Sequence, residues 1–137
     1  MNSILFVCTG NSCRSQMAEG FARELLAGWR IGSAGLEAHG LNPRAVAVMA
    51  EAGVDISQQT SDCLDGINLT DYELLVTVCG HADEHCPVLI GKQQKLHWPF
   101  DDPAKMTGTE EEIMQGFRRV RDEIRSRLRD FGKSQPS

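Results

Sequence analysis

The sequence lacks the features that would place the protein in a membrane or on nucleic acid. No apolar run approaches the roughly 20 residues that span a bilayer, and the N-terminus has no basic region followed by a long apolar core. With 14 basic against 19 acidic residues the net charge is −5, so no basic field covers the molecule. We therefore expect a cytoplasmic protein that binds neither membranes nor nucleic acid.

A framework of structural disulfides is also not expected. The five cysteines are an odd number, and the cytosol keeps thiols reduced, so they are candidates for chemistry or for burial. No repeat or linker interrupts the 137 residues, which suffice for one domain with a sizeable core. We expect this domain to cover residues 1–132 of a monomer, followed by a disordered tail over residues 133–137.

Apolar periodicity predicts strands that alternate with helices. Predicted strands cover residues 4–7, 29–33, 74–78 and 95–98, the first and third being continuously apolar and the fourth weak. Predicted helices follow the first strand, begin at Asn42 with Pro43 in the first turn, and follow a capping box over residues 109–112. This alternation predicts an α/β fold with a parallel sheet.

The most informative stretch is the loop that joins the first strand to the first helix, from Cys8 to Arg14. Between these two residues lie five small or polar ones, Thr9, Gly10, Asn11, Ser12 and Cys13. Such residues let successive backbone N–H groups turn towards one tetrahedral anion, and Arg14 adds a planar cation. The same positive field should lower the pKa of Cys8 and make it a thiolate nucleophile.

Three neighbours of the nucleophile have separate expected roles. Ser15 could donate a hydrogen bond to the Cys8 thiolate, Asn11 could hold the shape of the loop, and the Cys13 side chain should point away from the anion and pack. The competing interpretation is that Cys8 is a buried thiol and Arg14 a surface charge. The strand before the loop, its small residues and the helix after it together favour the anion site.

A second stretch holds two further cysteines, Cys79 and Cys86. In a helix, a rise of about 1.5 Å per residue would keep them about 10 Å apart, whereas a disulfide needs Cα atoms within roughly 7 Å. The pair can therefore bond only if the segment unwinds or folds back, which Gly80 makes easier. With His81 and His85 the cysteines could instead bind zinc, although the spacing is unlike common zinc sites, or they could be inert core residues.

Two carboxylates, Asp101 and Asp102, follow the weak fourth strand. Parallel strands place them at the same sheet edge as Cys8. One of these carboxyl groups could protonate the oxygen that leaves when Cys8 attacks, provided that apolar neighbours such as Trp98 and Phe100 raise the pKa of that carboxyl group. The residues alone do not separate the two carboxylates.

The sequence at residues 8–20 resembles the low-molecular-weight tyrosine phosphatase superfamily, and more closely its thioredoxin-coupled arsenate reductase branch. It reads Cys-Thr-Gly-Asn-Ser-Cys-Arg-Ser-Gln-Met-Ala-Glu-Gly. Further matches follow in order at residues 33–35, 38–40, 42–43, 55–57, 60–62, 78–80, 86–87 and 97–104. The resemblance implies four parallel strands in the order 2-1-3-4 with helices on both faces. That order places Cys8 and Cys79 at one carboxyl edge, beside the topological switch point.

The resemblance implies that the protein reduces arsenate to arsenite in this loop, with phosphate or sulfate as analogues. Cys8 is implied to be the nucleophile, Cys79 and then Cys86 the resolving thiols, and Asp102, directly before a proline, the acid. Asp101 would then be a capping or solvated carboxylate. Thioredoxin is implied as the electron donor, with glutaredoxin and glutathione as the alternative.

Relatives in this branch can hold a potassium ion beside the loop, and no tightly bound cofactor is implied. The side chains that would hold this ion correspond to Asn11, Glu19, Ser33 and Asp62. Glu19 and Asp62 could equally brace the loop through hydrogen bonds. Some relatives carry histidine where this chain has Gln59.

Two other functions stay open. The first is a phosphatase that uses the same loop with water in place of Cys79; against it, Ala104 stands where those relatives usually have an aromatic residue. The second is a thiol binder of zinc or arsenite, which would need neither Arg14 nor Asp102. Cys63 replaces an aliphatic residue of the relatives, so we expect it to pack.

Overall fold

The computed structural model describes residues 2–79 and 94–134, and within them four parallel strands form one sheet in the order β2-β1-β3-β4. The strands are β1 (Ser3–Cys8), β2 (Arg30–Gly35), β3 (Leu74–Thr77) and β4 (Gln94–His97). The helices are α1 (Arg14–Leu25), α2 (Pro43–Glu51) and α3 (Glu110–Ser134), and short 3₁₀ turns occupy Leu64–Gly66, Leu69–Asp71 and Pro103–Lys105. The predicted parallel α/β sheet and its strand order are confirmed.

Strand β1 is the centre of the sheet and is buried throughout. It pairs with β2 on one side and β3 on the other, which explains why its sequence is apolar without alternation. In β2, Ser33 donates a hydrogen bond to Glu19 of α1, whereas the neighbouring Gly32 lies against the ring of Tyr72. Because successive residues of a strand face opposite sides, α1 and the segment that carries Tyr72 cover opposite faces of the sheet.

Local signals set the helix ends as predicted. The Asn42 side chain accepts hydrogen bonds from the first amides of α2, and Gly53 after the helix has a φ of +84°, which glycine adopts without strain. Before α3, Thr109 Oγ1 accepts the Glu112 N–H at 3.2 Å, and the Thr109 N–H donates to the Glu112 carboxylate at 3.3 Å. The predicted capping box is therefore confirmed.

Two boundaries differ from the prediction by more than one residue. Strand β2 covers Arg30–Gly35 instead of residues 29–33, because its pairing with β1 continues to the end of that strand, where Cys8 lies opposite Gly35. Helix α3 continues to Ser134, so residues 133 and 134 are helical and not part of a disordered tail. The last turns of α3 stay on the core because the apolar stripe of this helix packs there. Residues 135–137 lie outside the described residues.

The arginines of α3 form ion pairs with carboxylates of the protein itself, as a solvated helix face would. Arg118 and Arg121 both pair with Glu51 of α2, at 2.9 and 3.3 Å. Among the described residues, no helix is apolar over enough of its length to cross a bilayer.

Candidate active site

The carboxyl ends of the strands bring the predicted site residues together. Cys8 ends β1, Cys79 lies two residues beyond β3, and Asp102 lies in the loop after β4. Cys8 and Asp102 belong to the lining of one pocket, which consists of Cys8, Thr9, Gly10, Ser12, Cys13, Arg14, His39, Asp102, Ala104 and Lys105. The predicted nucleophile, cation and acid thus share one cavity, whereas Cys86 lies outside the described residues.

The backbone of the loop is held with its carbonyl groups turned outward. The carbonyls of residues 8–12 all accept hydrogen bonds from outside the pocket. The donors are the N–H groups of Leu36, Glu37, His39 and Asn42 and the side chains of Ser61 and Gln16. Because C=O and N–H point in opposite directions across a trans peptide, each bond turns an N–H group inward. The amides of residues 10–13 have no acceptor within residues 2–79 and 94–134, which suits an oxyanion.

Asn11 makes the sharp turn of this loop. Its φ of +49° is left-handed, a conformation that asparagine tolerates better than most residues. Its side chain donates to the Asp62 carbonyl at 3.1 Å and accepts the Ser15 hydroxyl at 2.7 Å. Asn11 therefore braces the loop as predicted. The single hydroxyl proton of Ser15 is used in this bond, so in this structure Ser15 does not donate to Cys8.

Arg14 contributes a buried guanidinium to the pocket, with 9% of the residue exposed. Its Nη1 donates to the Phe100 carbonyl at 3.1 Å, and its Nη2 lies 3.4 Å from the Asp102 carboxylate. Nε has no hydrogen-bond partner among the described residues. A buried donor without an acceptor costs about 1–3 kcal/mol, so an oxyanion that accepts from the guanidinium would relieve an existing penalty.

The structure distinguishes Asp101 from Asp102, whose roles the residues alone did not separate. Asp102 lines the pocket, and its Oδ1 accepts the Ala104 N–H at 3.0 Å. Asp101 points elsewhere: its side chain is 71% exposed and pairs with Arg119 of α3 at 3.3 Å. Asp102 is thus the carboxylate placed to exchange a proton with a bound oxyanion.

The thiol of Cys79 is buried next to that of Cys8. Cys79 is 5% exposed, and its Sγ lies 3.3 Å from the hydroxyl of Thr9. The pKa of Cys8 is raised most by a hydrogen bond with the Cys79 thiol and next by burial, while the charge of Arg14 lowers it. The net direction is upward, so the predicted lowering is wrong for this arrangement. The physical reason is that the neighbouring thiol and the low-dielectric surroundings favour protonated Cys8 more than Arg14 favours the thiolate.

The other two described cysteines are at least partly buried. Cys13 belongs to the pocket lining but is only 4% exposed, and burial raises its pKa to about 11. Cys63 is half-buried, lies outside the pocket lining and donates to the Leu36 carbonyl at 3.4 Å. Of the hypothetical zinc ligands, only Cys79 falls within the described residues, and those residues contain no cluster of three histidine, cysteine or carboxylate groups.

The predicted potassium ligands already have partners in the structure. Both Glu19 oxygens accept hydrogen bonds, one from Ser33 at 2.6 Å and one from Arg23 at 2.6 Å. Arg23 thereby supplies a positive charge beside the buried carboxylate. Asn11 Oδ1 accepts from Ser15, and Asp62 Oδ2 accepts from the hydroxyl of Thr60. Potassium binding by these oxygens stays a prediction.

Sequence reasoning missed the residues that shape the pocket from outside. The segment 36–39 and Ser61 bind the loop carbonyls, and His39 and Lys105 line the pocket. Local sequence could not reveal these contacts, because they join residues about 30 to 90 positions apart. The available signals were the resemblances at residues 38–40 and 60–62, which assigned no role to His39 or Ser61.

Comparisons with known proteins agree with this geometry. Residues 3–135 match the family described as low molecular weight phosphotyrosine protein phosphatase. An arsenate reductase of Bacillus subtilis (strain 168) is 54% identical over 132 residues, which cover 96% of this chain and 95% of that protein. A solved arsenate reductase in the phosphate binding state is 37% identical with a TM-score of 0.79, covering 97% and 98% of the two chains. A tyrosine phosphatase of Erwinia amylovora is 25% identical with a TM-score of 0.82, covering 99% and 94%.

Proposed function

Because the chain belongs to the low-molecular-weight phosphotyrosine protein phosphatase family, we propose that it is an arsenate reductase with Cys8 as its nucleophile. A relative that is 54% identical over nearly the whole chain is an arsenate reductase. The observation that carries the proposal is the thiol of Cys79, which is buried at the sheet edge where Cys8 lies, 3.3 Å from the hydroxyl of Thr9, the residue next to Cys8. A phosphatase resolves its thiol adduct with water and has no use for such a thiol.

In the first step, Cys8 Sγ attacks the arsenic of an arsenate bound in the loop. A sulfur–arsenic bond forms and one arsenic–oxygen bond breaks. Cys8 gives up its proton to the Asp102 carboxylate as it attacks, and Asp102 passes that proton to the departing hydroxyl, which leaves as water. The inward amides of residues 10–13 and the guanidinium of Arg14 stabilise the charge that develops on the remaining oxygens. The burial of Arg14 and the place of Asp102 in the pocket lining support these roles.

In the second step, Cys79 attacks Cys8 as a thiolate. The sulfur–arsenic bond breaks with its electron pair left on arsenic, so arsenic(V) becomes arsenic(III), arsenite leaves, and a Cys8–Cys79 disulfide forms. Cys86 then attacks Cys79 and releases Cys8. The dithiol of thioredoxin reduces the Cys79–Cys86 disulfide, so one arsenate and one dithiol yield arsenite, a disulfide and water. Such a relay fits the reducing cytoplasm.

The test of this function is NADPH oxidation by the reduced protein with thioredoxin and thioredoxin reductase, started with arsenate. Glutathione and glutaredoxin are assayed in parallel. Arsenate-dependent oxidation with thioredoxin supports both the reductase and its donor, and oxidation only with glutaredoxin replaces the donor. No oxidation with either system would refute the reductase.

The relay predicts that Cys86→Ser completes one turnover and then stops. The first arsenate would still be reduced, because Cys8 and Cys79 can form their disulfide, but thioredoxin would receive no Cys79–Cys86 disulfide. Rapid-quench measurement of arsenite per protein should therefore give a burst of about one equivalent, with no steady-state rate. Cys63→Ser is the matched control and should turn over as the unmodified protein does. Sustained turnover by Cys86→Ser would refute the relay.

A phosphatase activity is the second candidate, since the pocket would bind phosphate as it binds arsenate. The specific observation in its favour is the likeness to a tyrosine phosphatase over nearly the whole of both chains. Water would then resolve the Cys8 adduct, with Asp102 as acid and base. Hydrolysis of an aryl phosphate, together with no arsenate-dependent NADPH oxidation, would make this the main function.

A further inference from the structure

His39 lies at the wall of the pocket and has no part in the chemistry proposed above. We propose that His39, oriented by Glu37, is a positioning residue that holds the turn at residues 9–11 in its oxyanion-binding shape. We further infer that the imidazole narrows the pocket, so that it favours an inorganic oxyanion over a phosphate ester. This second effect rests on the proposed function, whereas the first does not.

The first argument is the double contact between His39 and Gly10. The His39 N–H donates to the Gly10 carbonyl at 2.9 Å, which keeps that carbonyl turned out of the pocket. The imidazole ring packs so closely on Gly10 that a Cβ there would overlap Nδ1 and lie 2.9 Å from Cγ. Glycine at this position thus permits the ring to support the turn directly, and the ring in turn limits where Gly10 can move.

The second argument is the orientation of the ring. The Nε2 of His39 lies 2.6 Å from Oε2 of Glu37, and a carboxylate can only accept, so Nε2 carries a hydrogen. Glu37 also donates its N–H to the Thr9 carbonyl at 2.9 Å. The same short segment therefore holds two successive loop carbonyls through its backbone and fixes the imidazole through a side chain. Both side chains are more than half exposed, so their ion pair adds little to global stability.

The third argument is the position of His39 relative to the opposite wall. His39 follows β2, whereas Ala104 and Lys105 follow β4, and these strands lie on opposite sides of β1 in the sheet. Residues from both loops line the pocket, so the two walls flank the loop that begins at Cys8. A substituent on the bound anion must leave between these walls. Loss of the imidazole would widen that exit on one side.

The test compares His39→Ala and His39→Gln with the unmodified protein in two measurements. Calorimetric titration gives the Kd for inorganic phosphate, and steady-state assays give kcat/KM for arsenate reduction and for hydrolysis of an aryl phosphate. We expect His39→Ala to weaken phosphate binding about fivefold to tenfold, the usual effect of losing about one hydrogen bond or close contact. We also expect the ratio of aryl phosphate to arsenate kcat/KM to rise. His39→Gln should lie between His39→Ala and the unmodified protein.

Controls separate a local effect from a general one. Arg44→Gln breaks another exposed ion pair, with Glu110, outside the pocket and should change neither measurement. Glu37→Gln keeps a hydrogen-bonding partner for His39 and should weaken phosphate binding less than His39→Ala. If His39→Ala does not fold, as judged by its thermal unfolding, His39→Gln carries the comparison.

Phosphate affinity within twofold of the unmodified protein in both His39 variants would overturn the positioning role. An unchanged ratio of the two kcat/KM values would overturn the narrowing role. The phosphate titration needs no turnover, so it decides the positioning role even if the protein reduces no arsenate.

Discussion

Cys8 is the residue whose chemistry depends most on its surroundings. Its hydrogen bond with Cys79 and its burial raise its pKa, and the guanidinium of Arg14 acts in the opposite direction. Arg14 is itself 3.4 Å from the Asp102 carboxylate, which offsets part of its charge. Because the thiols of Cys8 and Cys79 interact, they titrate as a coupled pair, and the first apparent pKa describes the pair and not either thiol alone. Since the pKa of Cys8 is raised, its thiolate fraction is small at neutral pH and grows as pH increases.

The coupling predicts that Cys79→Ala lowers the pKa of Cys8. The substitution removes the largest contribution that raises this pKa and leaves Arg14 in place. The rate of Cys8 alkylation by iodoacetamide, followed by mass spectrometry against pH, should therefore reach its midpoint at a lower pH than in the unmodified protein. Cys63→Ser should leave the midpoint unchanged. A midpoint that stays or rises in Cys79→Ala would show that Cys79 does not hold the proton on Cys8.

The element that places the acid is the 3₁₀ turn Pro103–Lys105, which is anchored on α3. Met106, directly after the turn, packs into a notch at Gly116, where an added Cβ would overlap its sulfur and lie 3.0 Å from Cε. At the start of the turn, Asp102 Oδ1 accepts the Ala104 N–H. The position of Asp102 over the pocket thus depends on how the turn is seated against α3.

Gly116→Ala is predicted to displace Met106 and the turn, and with it Asp102. We expect kcat for arsenate reduction to fall about tenfold, which is part of the roughly 100-fold to 10,000-fold effect of a general acid, because Asp102 is displaced and not removed. The Kd for phosphate should change less, because the loop amides are unaffected. Steady-state kinetics and phosphate titration measure this split.

Gly132→Ala is the matched control in the same helix, since the nearest contact of its added Cβ would be an ordinary 3.6 Å. It should keep normal kinetics. Equal losses of kcat and of phosphate affinity in Gly116→Ala would indicate a general disturbance of the fold. They would contradict the prediction that the contact between Met106 and Gly116 specifically positions Asp102.

At the scale of the whole molecule, the pocket is formed by parts of the chain that lie far apart in sequence. The loop after β1, the segment after β2 and the loop after β4 all contribute lining residues. A bound oxyanion would link them through the loop amides and Arg14. Anything that binds the folded state but not the unfolded state stabilises the fold.

Phosphate is therefore predicted to raise the Tm of the protein. At 100 times its Kd the stabilisation is about 2.7 kcal/mol, which corresponds to a shift of several degrees for a chain of this size. Calorimetric scans should show the shift with phosphate and not with sodium chloride at equal ionic strength. Arg14→Met should lose most of it. An equal shift in that variant would place phosphate binding elsewhere on the molecule.

Local physical signals explain which features could be predicted from sequence. The apolar run of β1, the cap at Asn42, the capping box at Thr109 and the small residues after Cys8 each act within a few positions. The parallel α/β class follows from their alternation. The strand order came from the resemblance, because spacing along the chain does not determine which strands pair.

What the sequence by itself determined is that a thiol, an arginine and a loop of small residues meet between a strand and a helix. The tertiary structure alone decided that Ser15 bonds Asn11, that Asp101 turns towards α3, and that Cys79 raises the pKa of Cys8. Each outcome depends on a side chain's final neighbours and burial. Hydrogen bonds and pKa values are set by atoms within a few ångströms, and folding brings those atoms together from distant positions in the chain.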